Sequence, residues 1–344
     1  MRDKLRFGII GAGMVAQAYV QAFERCECAA LVGLADKRIE AARALAERLK
    51  CRSYEAFEDM VEECKPDAVI VCTPPICHPK MCIELLNRQI HVLCEKPFSI
   101  DIQNAYHMIS AARKNGVKLT MASKFRFVED VVRAKSMVAS GILGELVLFE
   151  NVFASRVDMG SRWNSMPAIS GGGVLIDNGT HSVDLMCYFL GPLSEVHVLE
   201  GKRSQNLQVE ETVAMFVRSM DGVIGSIDLS WSIDKQRGSY LDIYGSRGAI
   251  SIGWKESKHL DYSRKDWVVF GRGYDKLQAF SSQIENFSKA ICGEEPLLLT
   301  DEEALGSVRV MEAAYRALRQ SRWVSVAPAR KVAFEEEVAS WSSL

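Results

Sequence analysis

Three side chains of this 344-residue chain could do chemistry together: an amine in Glu95-Lys96-Pro97, and a carboxylate and an imidazole in Asp177-x3-His181. An imidazole takes and returns protons near neutral pH, and a fixed amine stabilises negative charge on an oxygen. Lys96 follows an apolar run, Ile90-His-Val-Leu-Cys94, and precedes a proline. The proline fixes its own φ and restricts Lys96 to extended conformations, so the amine is aimed at one region. Taken alone, the segment equally fits a strand that ends in a solvated lysine. Ser170-Gly-Gly-Gly173 opens a second stretch that closes at Gly191 and has the length of a helix. At helical spacing Asp177, His181, Asp184 and Tyr188 form one stripe, flanked by Val174, Ile176, Leu185, Met186 and Cys187. Such a helix is apolar almost all round, so the stripe is expected to be buried, its ionisable groups paired with one another or with a ligand. Asp184 reads as a residue that orients His181, as a cap for a nearby turn, or as part of a purely structural network.

The elements that must position these groups begin at the N-terminus. Leu5-Arg-Phe-Gly-Ile-Ile10 is a short apolar strand, followed by Gly11-Ala12-Gly13-Met14-Val15-Ala16 and a helical pattern. Gly11 allows a tight turn, Gly13 lets the backbone approach a pyrophosphate, and Ala16 permits close helix–strand packing, with the helix N-terminus facing the phosphates. Leu31-Val-Gly-Leu-Ala-Asp36 is a second strand whose acid lies 25 residues after Gly11, near the roughly 20 expected for a carboxylate on the adenosine ribose. Asp36 would accept from both ribose hydroxyls and repel a 2′-phosphate, which favours NAD over NADP; Lys37 and Arg38 offset part of that repulsion. Helices near 37–49, 55–64, 78–88 and 101–115 then alternate with strands near 51–54, 67–73, 90–94 and 117–122. This alternation predicts a parallel sheet wound on both sides over residues 1–123. Open sheets of this kind bind ligands at the carboxyl edge of their strands, which is where Lys96 stands.

From residue 124 the pattern changes. After a helix near 128–140 come strands near 145–154, 195–201, 209–218, 222–231, 239–244, 247–252 and 266–270. Asp221-Gly222 and Gly245-Ser-Arg-Gly248 read as hairpin turns. Residues 124–344 are therefore expected to form an α+β domain on a mostly antiparallel sheet, with helices near 277–292 and 301–319. The tail from Arg319 onward yields no assignment.

Composition removes several alternatives. With 42 basic and 44 acidic side chains and a net charge of -2, nothing points to nucleic acid or an anionic membrane as partner. No apolar run reaches the roughly 18 residues of a membrane span, and no signal peptide is evident, so a cytoplasmic protein is expected. Ten cysteines scattered through apolar segments read as reduced core residues. Cys72, Cys77, His78 and Cys82 lack paired CxxC spacing, so no metal is expected. The loop 155–169 carries Arg156, Asp158, Arg162, Trp163 and Asn164, an aromatic plate and donors suited to a polyhydroxylated ligand. Lys124 and Arg126, just after the last strand of the first domain, are candidates to face the same cleft.

These stretches together resemble the Gfo/Idh/MocA oxidoreductases, the family of glucose–fructose oxidoreductase and inositol dehydrogenase. The resemblance rests on Gly8-Ile-Ile-Gly-Ala-Gly13, Cys72-Thr-Pro-Pro-Ile-Cys-His78, Glu95-Lys96-Pro97, Gly171-Gly172-Gly173 and Asp177-x3-His181-x2-Asp184, which span both halves in family order. It implies an N-terminal Rossmann domain and a C-terminal domain with a large, mostly antiparallel sheet, whose outer face makes homodimers or homotetramers. It also implies that Thr73, Pro74, His78 and Glu95 lie along the cofactor, with Lys96, Asp177 and His181 at the reacting carbon. Pro75 stands where the family often has Asn. The implied reaction is hydride transfer between NAD and a secondary alcohol of a sugar, cyclitol or nucleotide sugar, with His181 as base and Lys96 stabilising the alkoxide-like oxygen. A glycosidase that oxidises its substrate transiently, and an NAD-binding sensor without turnover, are the competing functions.

Overall fold

The computed structural model describes residues 4–326; residues 1–3 and 327–344, which include most of the tail beyond Arg319, lie outside the described residues. The first sheet contains β1 (Leu5–Ile10), β2 (Ala29–Ala35), β3 (Arg52–Tyr54), β4 (Ala68–Val71), β5 (His91–Glu95) and β6 (Leu119–Ala122). Its order is β3-β2-β1-β4-β5-β6, parallel throughout. Parallel neighbours need crossover helices, and these bury both faces. Ile70 on β4 packs with Ala16, Val20 and Leu34 on one side; Val69 and Val71 pack with Met60 and Leu85 on the other. Strand order reverses between β1 and β4, which opens a crevice at their carboxyl ends.

The second sheet contains β7 (Leu146–Ala154), β8 (Leu193–Glu200), β9 (Thr212–Ser219), β10 (Ile224–Ser230), β11 (Ser239–Gly245), β12 (Gly248–Gly253), β13 (Ser257–Asp261), β14 (Trp267–Gly271) and β15 (Val324–Ser325). The order is β14-β13-β12-β11-β7-β10-β9-β8-β15. Every neighbouring pair is antiparallel except β7 with β10. The turns at Gly222 and Gly245–Gly248 join β9 to β10 and β11 to β12 as the sequence predicts. β13 was not anticipated: Ser-Lys-His-Leu-Asp offers little apolar signal and is held by ladder bonds to both neighbours. One face of the sheet packs on the helices Val174–Leu190 and Asp301–Gln320, burying Phe149, Met215 and Leu229 against Leu175, Met186 and Ala314.

A division at residue 123 separates the two sheets but not the two cores. The helix Lys276–Ile291 returns to the first sheet, setting Phe280 edge-on to Tyr19 at 4.7 Å and Phe287 against Phe7 at 6.2 Å. Ala304, Leu305 and Val308 pack into the cluster of Leu85 and Met108. No helix among the described residues is long and apolar enough to cross a membrane.

A buried ion pair locks these segments. Arg126 is fully buried; its Nε donates to both oxygens of Asp184 at 2.9 Å and its Nη1 to Glu303 at 2.7 Å. Tyr188 lies 4.9 Å from the guanidinium, and the Ser123 hydroxyl donates to Asp184 at 2.5 Å. Two sequence-based expectations are corrected here. Arg126 does not face a cleft, and Asp184 orients Arg126 rather than His181, because two opposite charges taken from water satisfy each other first. Removing one partner of such a pair strands the other charge. Asp184→Ala should therefore lower unfolding stability by about 3–5 kcal/mol in urea titrations; a loss below about 1 kcal/mol would show that Glu303 alone suffices.

Candidate active site

β5 delivers Glu95 and Lys96 to the crevice. The Glu95 carboxylate is buried and accepts from the Tyr19 hydroxyl at 2.9 Å and from the Lys96 backbone N–H at 3.1 Å. Gln283 donates to that hydroxyl at 2.8 Å, so a helix of the second segment braces the strand end. Burial raises the Glu95 pKa, with Lys96 the chief opposing influence. The Lys96–Pro97 peptide is cis. Lys96 Nζ donates to the Asp177 carbonyl at 3.0 Å and to the Asp177 carboxylate.

The triple glycine that opens the second stretch is a packing device. Gly171 has φ +82° and ends the short helix Pro167–Ser170. A Cβ on Gly172 would lie 1.8 Å from the Tyr315 hydroxyl, and one on Gly173 2.2 Å from the Glu210 carbonyl. The buried Glu210 carboxylate accepts from Gly173 N–H at 2.9 Å, Leu175 N–H at 3.1 Å and Tyr315 at 2.8 Å. It satisfies orphan donors at the start of Val174–Leu190, the helix that carries Asp177 and His181. Glu210 and Tyr315 went unnoticed in the sequence because nothing in their own neighbourhoods marks them.

His181 is 7% exposed, lies 5.1 Å edge-on to Phe125, and has its Nδ1 enclosed without a partner. Burial first, then the charges of Lys96 and Lys124, push its pKa well down. The imidazole is consequently neutral at physiological pH and available as a base. Lys124 sits 5.2 Å from the Phe125 ring centre and 5.9 Å from that of Phe280. Burial, reinforced by Lys96, lowers its pKa to about 8.

These groups border one cavity of about 720 Å³ between the sheets, with Gly13, Met14, Val15 and Thr73 at one end and His181, Trp231 and Trp254 at the other. Arg162, Trp163, Lys96, Asp177 and Lys124 also border it. Arg156 is exposed and does not, and Pro74 yields its place to Pro75. His78 is corrected too: its ring is fully buried, with Nδ1 2.9 Å from the Pro97 carbonyl and Nε2 2.9 Å from that of Thr73. It ties two crevice loops together from beneath, since both nitrogens are already directed at backbone. Phe125, Trp254 and Phe280 were missed; they come from different elements and no local spacing connects them.

The glycine-rich turn after β1 borders this cavity through Gly13. Gly11 has φ +98°, and a Cβ there would lie 2.8 Å from the Cys72 backbone, so the turn needs glycine. Gly13 is different: its φ of -78° suits any residue, and a Cβ would meet nothing within 4 Å. What glycine preserves at that position is open space in front of the Met14–Phe23 helix, where a pyrophosphate fits. The Asp36 carboxylate accepts from Ala12 N–H at 2.7 Å and Arg38 N–H at 2.8 Å, which holds it beside this turn, while Lys37 is exposed.

Residues 5–123 match the family model for the oxidoreductase family with NAD-binding Rossmann fold, and residues 131–251 match the GFO/IDH/MocA C-terminal domain. The chain is 26% identical over 327 residues to the rhizopine catabolism protein MocA of Rhizobium meliloti, covering 92% of this chain and 95% of that protein. It is 35% identical over 192 residues to a D-glucoside 3-dehydrogenase of Escherichia coli, 54% of each chain. The fold is shared with an NAD-binding oxidoreductase from Klebsiella pneumoniae, at a TM-score of 0.85 and 22% identity over 94% of this chain and all of that one. With both halves matched by models of one family, the chain belongs to the GFO/IDH/MocA oxidoreductases and is an NAD-binding enzyme.

Proposed function

We propose that this enzyme transfers a hydride between NAD and a secondary alcohol of a sugar or polyol. The observation that carries the reading is the contact of the Lys96 amine, from the first sheet, with Asp177, from a helix of the second, beside a neutral and unpartnered His181. The names of the relatives, a D-glucoside 3-dehydrogenase among them, support the substrate class. Bound NAD supplies the hydride acceptor. Gly11, Gly13, Met14 and Val15 hold its pyrophosphate end, Asp36 its adenosine ribose, and Thr73 and Glu95 the remainder.

His181 takes the hydroxyl proton, a task its lowered pKa permits because the ring starts neutral. Lys96 stabilises the oxygen as it becomes alkoxide-like, and Asp177 fixes the amine while accepting from a neighbouring hydroxyl. Trp163 and Trp254, each partly exposed, offer flat faces to a sugar ring. Assembly into a homodimer or homotetramer belongs to the same reading: Val147, Phe216 and Ile224 are exposed on the open face of the second sheet, and sedimentation velocity checks it.

A panel of sugars and polyols with NAD should yield net NADH; product without NADH would instead mark transient oxidation by a glycosidase. His181→Ala and Lys96→Met should each lower turnover by roughly 10²-fold or more, and an unchanged rate removes that residue from the mechanism. Because the base works unprotonated and its proton affinity is depressed, the acid limb of kcat/KM should lie below about 6.5. A limb at pH 7 or higher would contradict this. Gly13→Val should unfold as the parent does yet bind NADH at least roughly tenfold more weakly in fluorescence titrations; equal affinity would place the pyrophosphate elsewhere.

A further inference from the structure

The site end of the cavity holds more positive charge than it can pair. Lys96, Lys124, Lys276 and Arg162 border it, against the carboxylates of Glu95 and Asp177. Lys96 is taken by Asp177, and Glu95 by Tyr19 and the Lys96 backbone. Further out, Lys235 is held by Asp228, and Arg237 is matched in number by Asp234. The Lys124 amine has no hydrogen-bond acceptor among the described residues, and the rings of Phe125 and Phe280 flank it.

An ammonium placed this way is costly. It is desolvated, it faces Lys96 on β5 and Lys276 at the start of the helix Lys276–Ile291, and Glu95 and Asp177 offset only part of that repulsion. Its lowered pKa, about 8, reflects this. An anion brought in with a ligand would relieve the cost and gain a charge-assisted bond in a poorly solvated place. The pyrophosphate of the cofactor is not that anion in this reading, because the backbone N–H groups of the Gly11–Gly13 turn and the helix it opens would take it. Lys124 instead shares the Phe125 ring with His181, whose centre is 5.1 Å from it, and its charge acts directly on that imidazole.

We infer that the sugar this enzyme acts on carries an anionic group, a carboxylate or a phosphate, held by Lys124 beside the carbon that reacts. The inference rests on the hydride-transfer reading, and the experiment keeps the two apart. Full-length enzyme with NAD is assayed on neutral hexoses, on the corresponding aldonic and uronic acids, and on the hexose 6-phosphates. In parallel, the same compounds are titrated calorimetrically into the NADH complex.

The acids or the phosphates should exceed their neutral parents in kcat/KM by tenfold or more, and whichever arm does so identifies the anion. Lys124→Met should abolish that ratio, while Lys124→Arg keeps it. In the parent enzyme the ratio should fall as pH rises through about 8 and the amine loses its proton; in Lys124→Arg it should persist, since a guanidinium stays charged. Neutral sugars turned over as well as or better than the anionic ones would overturn the inference and leave hydride transfer intact, as would a preference that survives Lys124→Met. Lys124-dependent binding of the acids or phosphates without turnover would keep the anion site and remove the hydride-transfer reading. Calorimetry that detects no anionic sugar binding would overturn the inference.

Discussion

The contact between Lys96 and Asp177 is the constraint from which the rest of the site follows. It joins the carboxyl end of a strand in one sheet to the first turn of a helix packed on the other, so the two layers meet at a polar contact inside the cavity. Asp177 is well placed as an acid there, because the start of a helix favours negative charge. Yet the two side chains are 17% and 21% exposed, so solvent screens the pair and its contribution to stability is small. Its importance is positional. The rigidity comes from behind: Tyr19 and Gln283 fasten Glu95 on one side, and Glu210 with Tyr315 fastens the helix start on the other.

The charges around this joint also act on His181. A lone buried histidine already loses proton affinity through desolvation, and two ammonium groups lower it further. In the proposed reaction such a ring is a weak base towards water and a better one towards a hydroxyl beside Lys96, since the amine that depresses the imidazole would also stabilise the oxygen left behind. In the proposed reaction the proton acceptor and the electrostatic stabiliser are thus coupled, with the Lys96 amine held by Asp177.

Much of this was legible in the sequence, and the rest was hidden for definable reasons. The parallel sheet, the antiparallel turns and the place of Asp177 and His181 on one helix follow from periodicity and turn chemistry, which are local signals. β13 escaped because its stability lies in ladder bonds to both neighbours. Arg126 and His78 were misplaced because residue type gives reactivity without direction: a guanidinium beside a cleft and one beneath it look identical until Asp184 is found 58 positions away. Glu210 could not be read at all. It caps a helix start that lies 37 residues earlier in the chain, and the glycines that make room for it look like any flexible turn.

The short turn after β6 shows how one segment serves both stability and chemistry. Residues Lys124–Phe127 form a 3-10 helix with Ser123 at its N-terminal cap. Ser123 and Arg126 are three apart, and both bond Asp184. The two positions between them fall on other faces: Phe125 meets His181, and Lys124 borders the cavity. Asp184 lies three residues beyond His181 on its own helix, about 4.5 Å along the axis. The buried pair therefore anchors the helix one turn from the imidazole, and it does so without placing a structural charge in the cleft itself.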